Sequence, residues 1–337
     1  MSDASDLAER RATLTAAEPR LYPRDIAARL GVTEADIVAI DDGHTATRLR
    51  RDWRGILSEL HSLGHVMALT RNADAVHEKT GTYGKLEGGG HVALFVGEAM
   101  DLRLFLGSWR AAWAVEQKGR RSLQFFAGDG SAVHKVFATE QTDAQAWETL
   151  VARYAAPDLA PFVAKEAKPA PAPRDDAEID LVGLHAAWDA MTDTHQFHGL
   201  LSSFHVTRTQ AFRLAGDGRA RKVANSTVRA ALQQAAAVAM PIMVFVGNAG
   251  CIQIHSGPVQ TLREVGPWFN VLDPGFNLHL RDGVITECWV VAKPTDDGVV
   301  TSVEAFDAAG ALVVTLFGAR KPGRPELAEW RALCATL

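Results

Sequence analysis

The two halves of this chain repeat one another. "VMALTRNADAVHEKTG" (66–81) aligns with "IMVFVGNAGCIQIHSG" (242–257), so Met67 corresponds to Met243, Asn72 to Asn248 and Gly81 to Gly257. "FAGDGSAVHKVF" (126–137) aligns with "FDAAGALVVTLF" (306–317), and "AWETLV" around Trp147 with "EWRALC" around Trp330. The blocks keep their order with small gaps, which chance similarity would not sustain. Two long repeats mean tandem domains; a solenoid needs more and shorter ones.

Between the repeats lies "VAKEAKPAPAPRDDA" (163–177). Alternating Pro and Ala favour an extended chain and the charges keep it solvated, so this is read as a linker. It leaves an N-terminal repeat at 1–162 and a C-terminal repeat at 178–337. Each repeat opens helical. Short apolar or alternating runs follow: "LRLFL", "AAWAVE", "SLQFFA" and "AVHKVFA" in the first, "FNLHL", "ITECWVVAK", "VTSVEAFD" and "LVVTLFG" in the second. These are strand lengths bounded by Gly, Asp and Asn turns, with no helices between successive strands. A terminal helix closes each half. The expected class is α+β: a tandem duplication, each half a large antiparallel sheet with flanking helices.

The formal net charge of −5 gives no general attraction to nucleic acid or to an anionic membrane. Cys251, Cys288 and Cys334 show no CxxC spacing, so neither a disulfide framework nor a zinc ribbon is expected, and a reducing cytoplasm is the simpler home. The opening "MSDASDLAERRATL" lacks the apolar core of a signal peptide. No run of ~18 apolar residues points to a membrane span.

"MTDTHQFHG" (191–199) carries His195 and His198, three residues apart. Asp193 suits an N-cap and Gln196 follows three residues on, as in a capping box. That predicts His195 in a first helical turn, His198 on the same face, and a helix running to about Phe204. A helix N-terminus disfavours imidazolium, and a neutral imidazole keeps a lone pair for a metal. A histidine at a helix start is ordinarily a surface or capping residue. The repeat sharpens the choice: aligning 30–38 with 204–212 sets Leu21 opposite His195 and Arg24 opposite His198, so the fold does without these histidines in its first half. Thr207 and Gln210 predict the cap of a further helix, which Gly216 ends.

"DIAARLGVTEADIV" (25–38) has the outline of a helix-turn-helix. Its second helix begins Glu34, Ala35, Asp36, where DNA reading needs basic residues, so scaffold is the better reading and a DNA-binding regulator a remote one. A zinc site on His195, His198 and a third ligand such as His205 lacks any HExxH motif. The triple glycine in "KLEGGGHVAL" (85–94) lacks the Lys-Ser/Thr of a phosphate loop and reads as a turn. Trp109, Trp113 and Trp289 read as core. Arg103 interrupts the apolar strand "MDLRLFLGSW" and shares a face with Phe105; pointing inward it needs an anionic partner or a polar cleft, pointing outward on an edge strand it needs neither. Lys293, in "VVAKPTDDG", reads as a solvated strand end.

Together, "WDAMTDTHQF", "TRTQAF", "KVANS", "IMVFVGNAGCIQI", "FNLHL", "ECWVVAKPTDDGVVTS" and "MDLRLFL" resemble the HemS/ChuS/HmuS/PhuS family of cytoplasmic hemin transport and hemin-degrading proteins of bacterial heme uptake. The resemblance spans roughly residues 10–335, duplication and linker included. It implies heme as cofactor, in a cleft of the C-terminal half. It implies His195 as the axial ligand to the heme iron, His198 as an alternative ligand, and Arg103 on the distal side as the group available for catalysis. It implies Lys293 on the heme carboxylates. Where relatives have a "YGQR" motif this chain has Phe317, Gly318, Ala319 and Arg320, so a hydroxyl and an amide are lost while Arg320 stays available to a carboxylate. Phe245, Val246 and Phe197 are candidates for the cleft wall.

Two functions follow from different classes. One is a heme chaperone without catalysis. The other opens the ring oxidatively, releasing iron with electrons from an external donor, since no flavin or nicotinamide site is apparent. Expected partners are heme, an inner-membrane heme importer, and a reductase or downstream heme acceptor.

Overall fold

In the computed structural model, residues 4–166, 172–216, 218–320 and 323–337 are described. Residues 167–171 of the expected linker lie outside that set. The chain divides into two units: Met1–Arg71, Glu78–Lys168 and Gly247–Gln253 form the first, and Asn72–His77, Pro169–Val246 and Ile254–Leu337 the second.

The first unit contains helices α1 (Ala4–Ala17), α2 (Pro23–Leu30), α3 (Glu34–Ala39), α4 (Trp53–Glu59) and α5 (Ala144–Tyr154). Its strands are β1 (Ala46–Arg48), β2 (Gly64–Arg71), most of β3 (Ala75–Thr82), β4 (Val92–Phe95), β5 (Asp101–Phe105), β6 (Trp109–Gln117), β7 (Arg120–Ala127) and β8 (Ala132–Thr142). The second unit contains α6 (Leu181–Asp189), α7 (Gln196–Phe204), α8 (Arg208–Leu214), α9 (Thr227–Ala237) and α10 (Ala328–Thr336). Its strands are β9 (Ala220–Val223), β10 (Ile242–Gly247), β11 (Cys251–Gly257), β12 (Leu262–Val265), β13 (Trp268–Asp273), β14 (Phe276–Leu280), β15 (Glu287–Thr295), β16 (Gly298–Phe306) and β17 (Leu312–Gly318), of which β11 begins within the first unit.

The strands run β1-β6-β7-β8-β2 in one unit and β9-β15-β16-β17-β10 in the other, the same order twice. Neighbouring strands pair antiparallel, with Val115 opposite Ser122 and Val290 opposite Val303. The α+β duplication, with large antiparallel sheets and flanking helices, is therefore present. Alternation along each strand sends one set of apolar side chains to each face. In the first unit, α4 and α5 cover one face through Ile56, Leu57, Trp147 and Leu150, while Ala35 and Val38 of α3 meet Trp113 and Phe126 on the other. In the second, α9 and α10 bring Val228, Leu232, Trp330 and Leu333 to one face. Trp188, Phe197 and Phe212 of α6–α8 meet Trp289, Val291 and Phe306 on the other. Trp109, Trp113 and Trp289 are core residues as expected.

The helix pairs repeat down to their caps. Thr33 and Asp36 form a reciprocal capping box before α3, and Thr207 and Gln210 form one before α8. The residue after each cap carries opposite charge in the two repeats. Glu34 is buried against Arg71 and Lys135; its counterpart Arg208 reaches Glu304 at 2.6 Å. The acidic start of α3 is thus used inside the protein.

Candidate functional site

The turn Thr192–His195 precedes α7 and is fixed by a dense set of hydrogen bonds. Gln196 Oε1 accepts from the backbone N–H of Thr192 (2.9 Å) and of Asp193 (3.4 Å), and its Nε2 donates to Thr192 Oγ1 (3.1 Å). The Asp296 N–H donates to Thr192 O at 2.9 Å, tying the turn to the β15–β16 connection. Asp193 Oδ1 accepts the His195 N–H at 2.7 Å and lies 2.5 Å from His195 Nδ1. Only half of the capping box expected of Asp193 and Gln196 is made: Gln196 Oε1 accepts the Asp193 N–H, but the Gln196 N–H goes to the Asp193 backbone carbonyl instead of its carboxylate, so α7 begins at Gln196 and His195 closes the turn before it. The difference is physical: the Asp193 carboxylate takes the His195 N–H and ring, holding these residues in a turn.

His195 is 85% exposed at its side chain. A carboxylate against Nδ1 keeps the proton on that nitrogen, leaving the lone pair on Nε2. The Asp193 carboxyl is held below its ordinary value by the His195 N–H, against burial, with help from the His195 ring and the positive charge of Arg320. His198 lies one turn on and is exposed, and α7 ends at Phe204 as expected. His205 is the left-handed C-cap of α7 (φ 52°), at the end opposite His195. Among the described residues no cluster of three or more His, Cys, Asp or Glu suits a metal ion, so the three-histidine zinc reading fails.

Beneath α7 lies a buried charge network. Glu304, fully buried, accepts from Arg208 Nε (2.6 Å), Lys293 Nζ (2.6 Å) and Ser302 Oγ (2.8 Å). Burial raises the Glu304 carboxyl, but Arg208 and Lys293 outweigh it and hold it far below the carboxylate range. Burial pushes the Lys293 ammonium down to about 8 against the pull of Glu304. Lys293 Nζ lies 4.7 Å and Arg208 Cζ 5.1 Å from the centre of the Phe197 ring. Lys293 is therefore no solvated strand end. It is 2% exposed within β15, because its face of the strand lies under α7. Its ammonium is committed to Glu304, not to a ligand's carboxylate. Phe197, considered above for a cleft wall, packs between Trp188 (4.8 Å) and Phe212 (5.7 Å) in the core. Val246 is also core, pointing with Val244 away from the half-exposed face of β10.

The profile of the haemin-degrading HemS/ChuX domain matches residues 31–154 and again residues 205–337. The chain belongs to the HemS/ChuX family. Hemin transport protein HmuS of Yersinia pestis is 42% identical over 332 residues, 96% of this chain and 94% of its own. The heme-binding protein PhuS from Pseudomonas aeruginosa superposes with a TM-score of 0.96 at 47% identity, with 99% of both chains covered. ChuS, described as an Escherichia coli heme oxygenase, matches at a TM-score of 0.86 and 40% identity over 93% of this chain and 95% of its own.

Other residues of this HemS/ChuX chain fall as follows. Phe245 lies on the half-exposed face of β10, edge-on to Phe317 of β17 at 5.0 Å. Arg320, just past β17, is part-buried, lies 3.5 Å from Asp297 and acts electrostatically on Asp193. Gly318 is required by its neighbour, since an added Cβ would lie 2.7 Å from the Trp330 side chain. Arg103 belongs to the first unit. Leu102 and Leu104 are buried on one face of β5, and Arg103 and Phe105 take the other, with Arg103 paired to Asp101. Burial raises the Asp101 carboxyl against the pull of Arg103.

Sequence reasoning missed Asp193 as the partner of the His195 ring, having given it only a capping role. It missed Glu304 altogether. The available signal was the one used for Arg103, a charge inside an apolar strand, here "VTSVEAF".

Proposed function

We propose that this protein binds heme through His195 in bacterial iron acquisition, and either passes the heme onward or opens it to release iron. One observation carries the reading: an exposed imidazole whose Nδ1 is held by Asp193, in a turn fixed by Gln196 and Asp296. Metal-binding histidines characteristically donate their second nitrogen to such a carboxylate.

Heme is a flat apolar ring with two carboxylates, and when bound it supplies an iron with redox chemistry of its own. The residues fit it. His195 offers the axial donor and His198 a second donor one turn away. Arg320 offers a cation for a carboxylate, and Phe245 with Phe317 an aromatic surface. Lys293 is given a supporting part, holding Phe197 and thereby α7 through Glu304. Arg103 keeps the distal role that the family resemblance implies and is the residue expected to matter for ring opening more than for binding. Among the described residues no helix is long and apolar enough to cross a membrane. A cytoplasmic setting, an importer as heme donor and an external reductase or acceptor complete the reading.

The test is product analysis. The protein loaded with hemin is given ascorbate or a reductase with catalase present. Loss of the Soret band with a defined linear tetrapyrrole supports ring opening. Intact heme recovered on an added acceptor supports carriage. Failure to bind hemin at all contradicts both.

A further inference from the structure

A cleft of about 540 Å³ opens in the first unit, lined by none of the residues assigned to heme. Its floor is Trp109 and Leu106, both buried, with half-buried Trp53 6.0 Å from Trp109 between ring centres. Around it stand Arg51, Arg54, Arg110 and His91. The triple-glycine loop supplies a wall through Gly90. Arg54 donates to the carbonyls of Gly88 (3.2 Å), Gly90 (3.3 Å) and Val92 (2.7 Å), which pins that loop. Arg110 Nη1 donates to the carbonyls of Gly107 and Trp109, both at 2.7 Å. Asp52 also lines the cleft, but its Oδ1 accepts the Gly55 N–H at 2.9 Å to cap α4. Among the described residues none of these arginines is ion-paired to a carboxylate.

Three arginines outnumber the one carboxylate, Asp52, in this cleft, so an anion placed among them offsets their mutual repulsion. Guanidinium suits phosphate and carboxylate, and the partly exposed Trp53 indole suits a flat ring. The volume falls in the range of small-molecule sites, about 300–1,000 Å³. We infer that this cleft binds a small aromatic anion of mononucleotide size, its ring on Trp53 and its anionic group on Arg51, with Arg110 and His91 beside it. Arg54 and the triple-glycine loop hold the wall in place. The phosphate of a mononucleotide and the carboxylate of an aromatic acid offer the same chemistry, and separate probes distinguish them.

The experiment titrates the full chain with flavin mononucleotide and with 2-naphthoate, following probe and tryptophan fluorescence. Adenosine monophosphate and inorganic phosphate serve as competitors. Saturable binding of either probe is expected. For a nucleotide ligand, adenosine monophosphate displaces the flavin and inorganic phosphate does so far less well. Naphthoate binding alone assigns the site to aromatic carboxylates. Arg51→Ala and Trp53→Phe each weaken binding by about tenfold or more, whereas Arg51→Lys retains most of it. His195→Ala leaves it unchanged, which separates this cleft from the heme reading. Arg51 is exposed, so its loss does not threaten folding. No saturation with either probe, or saturation untouched by Arg51→Ala and Trp53→Phe, overturns the assignment. Phosphate displacing flavin as well as adenosine monophosphate does overturns the aromatic half of it.

Discussion

Asn72 and Asn248 correspond in the two repeats and make matching hydrogen bonds, each in the unit that holds most of the other repeat. Asn248 Nδ2 donates to the carbonyls of Arg71 (2.9 Å) and Val133 (2.8 Å), and its Oδ1 accepts from Gly250 and Cys251 N–H, both at 3.0 Å. Asn72 Nδ2 donates to the carbonyls of Leu312 (3.4 Å) and Val313 (2.8 Å), and its Oδ1 accepts from Asp74 (3.0 Å) and Ala75 (2.9 Å). Val133 and Val313 are themselves repeat partners. Each asparagine shapes its own turn and satisfies backbone carbonyls of other strands, β2 and β8 for Asn248 and β17 for Asn72.

Asn248→Ala removes donors from two carbonyls and acceptors from two N–H groups. The expected loss is about 1–3 kcal/mol in urea unfolding, with Asn248→Asp at least as damaging because it sets an anion against carbonyls. A loss below about 0.5 kcal/mol, the level of an ordinary surface change, contradicts the role.

Glu304→Gln breaks a buried network and is expected to cost about 3–5 kcal/mol at neutral pH. A carboxyl depressed in the folded state adds stability above its unfolded value of about 4.3, lost as the pH falls toward the folded value. Wild type should therefore lose stability on acidification more steeply than Glu304→Gln. Lys293 has the opposite sign to a usual paired lysine. Its folded value of about 8 lies below its ordinary one, so stability should rise with pH above 8. Unfolding midpoints across pH check both signs: parallel acid limbs for the two proteins contradict the first, and a wild-type midpoint that stays level or falls between pH 8 and about 10.4 contradicts the second.

Asp193→Asn keeps the size of the side chain while removing the charge that holds His195 Nδ1–H. Hemin affinity is expected to fall about 10–100-fold, and the iron–histidine stretching frequency of the reduced complex to drop. An unchanged frequency contradicts the pairing.

Gly318→Ala drives a methyl into Trp330. Overpacking of this kind costs about 1–3 kcal/mol. A thermal midpoint equal to wild type contradicts the packing at this strand end.

Much of this was legible because it is local or periodic. The duplication shows in Met67 and Met243 and in Trp147 and Trp330. The Thr207–Gln210 box and the end of α7 at Phe204 follow from capping chemistry that acts over a few residues. The exchange of short segments around Asn72 and Asn248 was not legible, since an Asn-Ala turn looks alike whichever sheet receives its side chain. The burial of Lys293 was hidden for a related reason. Its partner Glu304 lies on the neighbouring strand, and nothing local to "VVAKPT" reveals it. Asp193 was seen, but the backbone role that makes aspartate common before helices masked its contact with the imidazole.

Axial ligation by His195 is tested by hemin titration of wild type, His195→Ala and His195→Ala/His198→Ala, read by Soret position and affinity. One hemin per chain is expected for wild type. The single variant should show a shifted Soret band and weakened binding, with any ligation left by His198 removed in the double variant. A double variant with the wild-type spectrum and affinity contradicts the account.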